Sequence, residues 1–368
     1  MAKGVLAILG SGETSPGMTK VHRELLSRLD EVRAVNLDTP YGFQLNVPQM
    51  SQKLADYFQV SLQTKITSLP FTSFSLLSGV EKELLHQQIK ESTYVFAGPG
   101  SPTYALNQWK PFELQNDLIH VLSQGGSVCF SSAAALTIGA FTAPIYEIYK
   151  AGSELYWLEG LNLMSLIGLN CVVIPHFDNK EGENYDTRFC YLGEVRLTAL
   201  ETQLPEGTAT LGVDEHTAVL FDLASETFSV TGKGDVHWRI NNYGRTFTSG
   251  NAFPMSELST LPSVTKPSTP VVAEVVPAEL SPLELANIVE LGGSDKDVAL
   301  ARLVELASKS GEGLIDPTEI VNSILKARIR ARSDANYILA DQLRDLLIDA
   351  GILVNDGPTG TTWEINKD

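Results

Sequence analysis

A short turn that contains two serines is the feature of this sequence whose residue types and spacing could most directly do chemistry. The apolar residues 128–130 lead into Ser131 and Ser132, and three alanines follow. A nucleophilic serine in an α/β sheet needs a strand, a sharp turn and a helix, because the turn lifts the hydroxyl above the sheet edge. The helix N-terminus behind it adds amide donors and a positive dipole end. The competing interpretation is an ordinary connection in which a serine caps a helix.

The elements that must position this turn alternate between strand and helix. Short apolar runs predict strands at residues 5–9, 33–37, 65–69, 93–96, 127–130 and 170–174. Helical spacing of apolar residues predicts helices at 18–29, 48–60, 80–90, 112–123 and 187–203. This alternation predicts the α/β class, with a mostly parallel, doubly wound sheet that helices cover on both faces. Ligands bind such sheets outside the carboxyl ends of the strands. We therefore expect one sheet edge to gather the loops at 10–15, 98–102, 131–135 and 176–188.

After residue 203 the predicted secondary structure and the composition of the sequence change. Short strand-like runs with turn residues between them predict an antiparallel extension at 209–213, 218–222, 227–231 and 235–239. Residues 254–282 then hold six prolines among Ser, Thr and Val, which is typical of an extended linker. Helical periodicity returns at 283–291, 297–309, 317–332 and 336–350, before a hairpin-like end. The predicted organisation is an α/β domain at 1–253, a linker at 254–282 and a small helical domain at 283–368.

Composition narrows the classes of function. Lys and Arg number 27 and Asp and Glu 44, a net charge of −17, which disfavours general binding to nucleic acid or anionic membranes. Three widely spaced cysteines form no CxxC pair, so we expect buried, reduced thiols rather than a zinc site or disulfide framework. The first apolar run is too short for a signal peptide, and no run is long enough to span a membrane. These features predict a cytoplasmic protein.

Four motifs, in order, resemble those of the dipeptidase E and cyanophycinase family of serine peptidases. They are the glycine-rich loop 10–13, the second glycine-rich loop 97–101, the serine turn 130–135 and the strand pair 212–218, which reads GVDEHTA. The resemblance covers roughly residues 4–240. It implies the fold of class I glutamine amidotransferases and hydrolysis of a peptide or other amide bond. Relatives with this fold often pair, so a homodimer is a further expectation.

The resemblance also implies roles for particular residues. Ser132 would be the nucleophile, His176 the general base and Glu147 the acid that orients the imidazole, with Asp178 and Asp186 as competing acids. Amides of Gly100 and Ala133 would form the oxyanion hole. Substrate-binding positions would be Gly12, Glu13, Ser101, Asp178 and Arg188. No metal or cofactor is implied. Two of these residues also have a non-catalytic interpretation. His176 could be a hydrogen-bonded histidine at a strand end, and Glu147 could be a solvated carboxylate.

The sequence departs from the family pattern in ways that bear on activity. Phe130 and Ala134 stand where the family's turn has glycine, which tightens the turn. The arginine cluster that holds an acidic substrate residue in relatives is reduced to Arg188 and Arg196. The alternative function is therefore a non-catalytic binding protein on the same scaffold. A dinucleotide site at Gly10-Ser11-Gly12 is disfavoured, because Ser15 stands where the third glycine of G-x-G-x-x-G is needed.

The end of the chain resembles the extreme C-terminus of cysteinyl-tRNA synthetases. The matching stretches are RIRAR at 328–332, ADQLRD at 340–345, AGI at 350–352 and DGPTGTTW at 356–363. This resemblance implies contact with tRNA through basic side chains, namely Lys326, Arg328, Arg330, Arg332 and Arg344. The competing interpretation is a packing module without RNA binding, because nearby Asp residues dilute the positive charge. Synthetase activity is excluded by the lack of HIGH-type and KMSKS-type motifs.

Overall fold

The computed structural model describes residues 4–182, 185–240, 243–259, 317–333, 352–357 and 360–365, and six helical residues between 340 and 348. The chain divides into two compact units, Met1–Ser263 and Val264–Asp368. The first contains strands β1 (Val5–Leu9), β2 (Ala34–Leu37), β3 (Ile66–Leu69), β4 (Tyr94–Ala97), β5 (Ser127–Ser131), β6 (Phe141–Thr142), β7 (Leu158–Glu159), β8 (Cys171–Ile174), β9 (Ala209–Val213), β10 (Thr217–Asp222), β11 (Thr227–Gly232), β12 (Asp235–Ile240), β13 (Tyr243–Thr248) and β14 (Ala252–Pro254).

Its helices are α1 (Pro16–Ser27), α2 (Val47–Leu62), α3 (Gly79–Glu91), α4 (Pro102–Phe112), α5 (Leu114–Ser123), α6 (Ala133–Leu136), α7 (Ile145–Tyr149), α8 (Gly193–Glu201) and α9 (Ser256–Ser259). The main sheet has eight strands in the order β14-β11-β10-β1-β5-β4-β2-β3. Strands β1 to β5 run parallel, while β10, β11 and β14 extend the sheet antiparallel. The predicted α/β class, with a mostly parallel sheet and an antiparallel extension, is therefore confirmed.

The core lies on both faces of the main sheet. Side chains alternate between the two faces of a strand, and in β1 Leu6 and Ile8 join one apolar cluster while Ala7 and Leu9 join another. All five residues of β1 are buried. Such burial on both faces is typical of a parallel sheet between helices, and it gives the strand ends that carry the loops a rigid base.

A second sheet of four strands, in the order β13-β12-β9-β8, was not expected from the sequence. Strands β8 and β9 pair in parallel, with Ile174 opposite Gly212, and β12 joins β9 antiparallel. The strand predicted at 170–174 therefore leaves the main sheet and pairs with one of the strands predicted for its extension. This pairing brings the loops after β8 and β9 side by side.

Two predicted helices differ from the observed ones. The helix expected at 187–203 spans only Gly193–Glu201, because Phe189, Cys190 and Tyr191 adopt positive φ angles of 59°, 55° and 68°. The helix expected at 112–123 begins at Leu114, after Glu113 at φ 57°. The α4 helix before it was missed, although its buried residues Ala105, Leu106, Trp109 and Phe112 have helical spacing.

The first unit also extends beyond the predicted domain end at residue 253. Strand β14 pairs with β11 through Pro254, and the side chains of Met255 and Leu258 are buried in the main core. The linker expected at 254–282 therefore does not begin at 254, and its residues from 260 onward lie outside the described part of the chain.

The described part of the second unit consists of α10 (Pro317–Ser333) and the antiparallel strands β15 (Ile352–Gly357) and β16 (Gly360–Ile365). Buried side chains on α10 are Val321, Ile324, Leu325 and Arg328. Trp363 on β16 donates a hydrogen bond from Nε1 to Asn322 Oδ1 at 3.2 Å, which ties the strands to the helix. The helices predicted at 283–291 and 297–309 lie outside the described residues.

Candidate active site

Ser132 occupies a sharp turn between β5 and α6. Its backbone has φ 50° and ψ −119°, in a region that non-glycine residues rarely adopt. The turn is held by backbone hydrogen bonds from Ser132 N to Leu9 O at 3.2 Å and from Ala134 N to Gly98 O at 3.3 Å. The three alanines that follow are buried, whereas Ser132 itself is half-buried. Ser132 therefore occupies a sharp strand-to-helix turn at the end of β5, where the sequence analysis placed the candidate nucleophile.

His176 reaches Ser132 from the loop after β8. Its Nε2 lies 2.9 Å from Ser132 Oγ. The His176 backbone has φ 49°, and its N–H donates to Gly10 O at 3.3 Å. Its carbonyl accepts the N–H groups of Asn179 and Cys190 at 3.3 and 3.1 Å. Both backbone polar groups of His176, its N–H and its carbonyl, are therefore hydrogen-bonded. These bonds hold the residue at a positive φ angle, which is unfavourable for a non-glycine residue.

Glu215, in the loop after β9, is the acid that faces His176. Its Oε1 lies 2.8 Å from His176 Nδ1. The hydrogen bond with His176 lowers the pKa of the Glu215 carboxyl, although partial burial acts in the opposite direction. An ionised carboxylate only accepts hydrogen bonds, so Nδ1 carries the proton and Nε2 is left to accept from Ser132 Oγ. This is the tautomer that a general base for Ser132 requires.

Glu147, the acid that the family resemblance implies, is not the carboxylate that the structure places beside His176. Glu147 lies on α7, and its Oε2 accepts a hydrogen bond from Thr103 Oγ1 at 2.9 Å. Asp186 pairs instead with Arg188, at 2.8 and 2.9 Å, and these bonds lower the pKa of the Asp186 carboxyl to about 2. Asp178 Oδ1 accepts the backbone N–H of Glu215 at 2.7 Å. None of these three carboxylates occupies the place beside Nδ1.

The sequence did contain an indication of Glu215. His176 and Glu215 each lie two residues beyond a strand end, and strands β8 and β9 are parallel neighbours. Carboxyl ends of adjacent parallel strands lie at one edge. The family resemblance implied Glu147, which is nearer to Ser132 in sequence, but strand pairing decides which carboxylate reaches the imidazole.

The predicted oxyanion-hole residues are Ala133, within the serine turn, and Gly100, in the glycine-rich loop that is hydrogen-bonded to this turn. Gly100 has φ 147°, and a Cβ at this position would lie 2.0 Å from Pro40 O, so only glycine fits here. Ala133 begins α6 immediately after Ser132. Within the described residues, neither the Gly100 nor the Ala133 N–H donates to another protein group. Gly98 lies in the same loop as Gly100, and its carbonyl accepts a hydrogen bond from Ala134 N. This bond joins the glycine-rich loop to the serine turn.

Of the residues predicted to bind substrate, some lie near the serine turn, whereas others have side chains that are hydrogen-bonded within the protein itself. Glu13 lies beside the turn, where its Oε2 accepts from Ser131 Oγ at 3.1 Å. Gly12 packs against His216 with φ 67°. Ser101 instead caps α4, accepting from Tyr104 N at 3.1 Å, and Arg188 is occupied by Asp186. Asp178, which bonds to Glu215, likewise serves the protein's own structure.

The basic residues predicted to contact tRNA differ in exposure where the structure describes their side chains. Side chains of Lys326, Arg332 and Arg344 are exposed. Arg328, in contrast, is buried, with 2% of its surface exposed, so it is not placed for phosphate contact. The side chain of Arg330 lies outside the described part of the chain.

The described residues were also compared with the requirements of a metal site and of a membrane-spanning helix, and they meet neither. No group of three or more His, Cys, Asp or Glu side chains is arranged there to hold a metal ion. None of the helices in the described ranges is both long and apolar enough to cross a membrane. All three cysteines are unpaired and buried, as predicted, and burial raises the pKa of the Cys129 and Cys190 thiols to about 12.

Comparison with known proteins bears on both ends of the chain. Residues 316–363 match the sequence model of the cysteinyl-tRNA ligase anticodon binding domain. The cysteine–tRNA ligase of Micrococcus luteus is 36% identical over 91 residues, covering 20% of this chain and 19% of that protein. That of Granulibacter bethesdensis is 51% identical over 49 residues, covering 13% and 10%. The chain thus spans about a fifth or less of the length of these relatives.

The first unit has the fold of a solved peptidase. The crystal structure of a peptidase from an acI-B1 Actinobacterium superposes with a TM-score of 0.55 at 19% sequence identity. The match covers 69% of this chain and 97% of that one. At this identity the likeness shows the fold, and the chemistry of the site must be argued from the chain's own residues.

Proposed function

We propose that the first unit is a serine hydrolase that cleaves peptide or other amide bonds. The observation that carries the proposal is the continuous contact from Ser132 Oγ to His176 Nε2 and from His176 Nδ1 to Glu215 Oε1, at 2.9 and 2.8 Å. These distances lie within the reach required between a nucleophile, its general base and the group that orients the base. The fold shared with a solved peptidase supports the same reaction class.

In the proposed reaction, Ser132 Oγ attacks the substrate carbonyl while its proton moves to His176 Nε2. The carbonyl oxygen becomes an oxyanion, which the N–H groups of Gly100 and Ala133 stabilise. The C–N bond then breaks, and the leaving nitrogen takes the proton from His176. Water, deprotonated by the same imidazole, hydrolyses the acyl–serine ester and restores Ser132. Glu215 stabilises the imidazolium formed in both halves.

The surroundings of Arg188 indicate whether the proposed enzyme would prefer substrates with an acidic side chain. Its guanidinium bonds to Asp186 and also lies 3.7 Å from Glu194. A guanidinium already matched by a carboxylate contributes little to binding a second one. We therefore expect no preference for substrates with an acidic residue at the cleaved bond, in line with the reduced arginine cluster of this sequence.

The test is covalent labelling with a fluorophosphonate probe, in which Ser132 Oγ displaces fluoride from phosphorus. Wild-type protein should be labelled, whereas Ser132→Ala and His176→Ala should not react at a measurable rate. Ser131→Ala is the matched control, since it removes the neighbouring hydroxyl and should leave labelling in place. Folded wild-type protein that resists both a small and a large probe would count against the hydrolase.

A second candidate function, tRNA binding by the second unit, rests on the match of residues 316–363 to an anticodon binding domain. Exposed Lys326, Arg332 and Arg344 could contact phosphates. Retardation of tRNA by the full chain at low salt, weakening as salt rises, would support it. A chain that leaves tRNA unretarded at low salt would contradict it.

A further inference from the structure

Asp178 lies close to the candidate active site without touching the serine or the imidazole. The segment from His176 to Asp178 folds back along the end of β9, where Phe177 N donates to Val213 O at 3.1 Å. Asp178 Oδ1 then accepts the N–H of Glu215 at 2.7 Å. Both ends of this short segment therefore hold Glu215.

These contacts close a ring between two loops. His176 binds the Glu215 side chain and Asp178 binds the Glu215 backbone, although 39 and 37 positions separate these residues in the sequence. The Glu215 side chain is 27% exposed, so water competes for its carboxylate. A half-buried loop residue needs its backbone fixed if its side chain is to keep one orientation.

We infer that Asp178 is a positioning residue that fixes the Glu215 backbone so that its carboxylate stays against His176. The inference rests on the proposed hydrolase function. It assigns Asp178 no direct contact with substrate, because Oδ1 is already committed to the Glu215 amide. It also predicts that the acceptor oxygen matters more than the negative charge, since the bond is to a backbone N–H.

The experiment measures the rate of fluorophosphonate labelling in purified full-length variants. Asp178→Ala should slow labelling roughly 10- to 100-fold, because Glu215 is no longer held. Asp178→Asn keeps an acceptor oxygen and should remain within about threefold of wild type. In a Glu215→Gln background, Asp178→Ala should add little, because both changes remove the same support.

The control is Asp222→Ala at the far end of β10, whose carboxylate also accepts backbone N–H groups, those of Ala224 and Ser225. It should label like wild type. If Asp178→Ala fails to fold, Asp178→Ser replaces it, since the shorter hydroxyl cannot span the same distance. Wild-type rates in Asp178→Ala, equal losses in Asp178→Asn, or a full additional loss in the Glu215→Gln background would each overturn the inference. Unlabelled wild-type protein would instead count against the hydrolase itself.

Discussion

At the scale of single residues, two glutamates compete for one role, and hydrogen bonding separates them. Glu215 bonds to His176 Nδ1, whereas Glu147 bonds to Thr103. Glu215→Gln offers the imidazole an amide that can stabilise the wrong tautomer, and the comparable change in a serine protease costs about 10⁴-fold in turnover. We expect Glu215→Gln to slow labelling by roughly 10²- to 10⁴-fold.

Glu147→Gln is the matched control, because it removes the same charge from a residue that the structure places away from His176. It should label within a few-fold of wild type. A larger loss in Glu147→Gln than in Glu215→Gln would reverse the assignment of the acid and restore the one that the family resemblance implied.

At the scale of elements, the serine turn stores backbone strain that a substitution can release. Ser132 has φ 50° and ψ −119°, whereas Ser131 lies within β5. Such strain costs on the order of 1–3 kcal/mol for a non-glycine residue, and glycine avoids it. Ser132→Gly should therefore unfold with a free energy about 1 kcal/mol higher than Ser132→Ala in urea titrations.

Substitutions at the neighbouring Ser131 serve as the control. If the strain is confined to Ser132, the glycine and alanine variants of Ser131 should rank in the opposite order of stability. Ser131→Gly should be less stable than Ser131→Ala, because glycine in a strand adds conformational entropy to the unfolded chain. If Ser132→Gly were less stable than Ser132→Ala by the same margin as in the Ser131 pair, the turn would carry no strain.

The α1 helix joins the glycine-rich loop through a buried histidine, which predicts a pH dependence of stability. His22 Nε2 donates to Glu13 O at 2.8 Å, and Nδ1 accepts from the Tyr94 hydroxyl at 2.7 Å. Burial lowers the pKa of His22 to about 4. Unfolded histidine binds a proton below about pH 6.5, so the free energy of unfolding falls as pH drops from about 6.5 towards 4.

We expect wild type to lose on the order of 2 kcal/mol relative to His22→Gln between pH 7 and pH 5. Burial raises the pKa of Asp38 to about 6, which acts in the opposite direction over part of this range. Asp38 is present in both proteins, so its contribution cancels in the difference. His120→Gln, which alters an exposed residue on α5, should keep the wild-type dependence. Parallel stability curves for wild type and His22→Gln would refute the prediction.

The elements themselves show what a sequence can and cannot predict. Runs such as 5–9 and 127–130 were predicted as strands because apolar residues there are continuous, and β1 and β5 confirm them. The turn at 189–191 was read as helix, because apolar spacing cannot reveal that Phe189 and Cys190 donate their N–H groups to carbonyls of the loop after β8. Ser132 and His176 came from local motifs, whereas Glu215 depended on which strands pair. Long-range pairing is the part that local pattern does not encode.

At the scale of the whole molecule, the charge distribution decides whether the second unit can bind tRNA. The chain carries a net charge of −17, so long-range attraction to RNA is unfavourable and any binding must rest on local contacts. The exposed pair Lys326 and Arg332 lies on α10. Replacing both with Ala should weaken tRNA binding and reduce the slope of log Kd against log salt by about 2.

The control for this experiment removes the same charge elsewhere. Lys20 and Lys53 are exposed on α1 and α2 of the first unit, and replacing both with Ala changes the net charge equally. If binding is local to the second unit, this variant and Ser132→Ala should bind tRNA as wild type does. Equal weakening by the two double variants would mean that only net charge matters, and binding lost in Ser132→Ala would mean that tRNA engages the hydrolase site. The measurement is the fluorescence anisotropy of labelled tRNA across a salt series. It distinguishes RNA binding by the second unit alone from RNA binding that also requires the proposed hydrolase site.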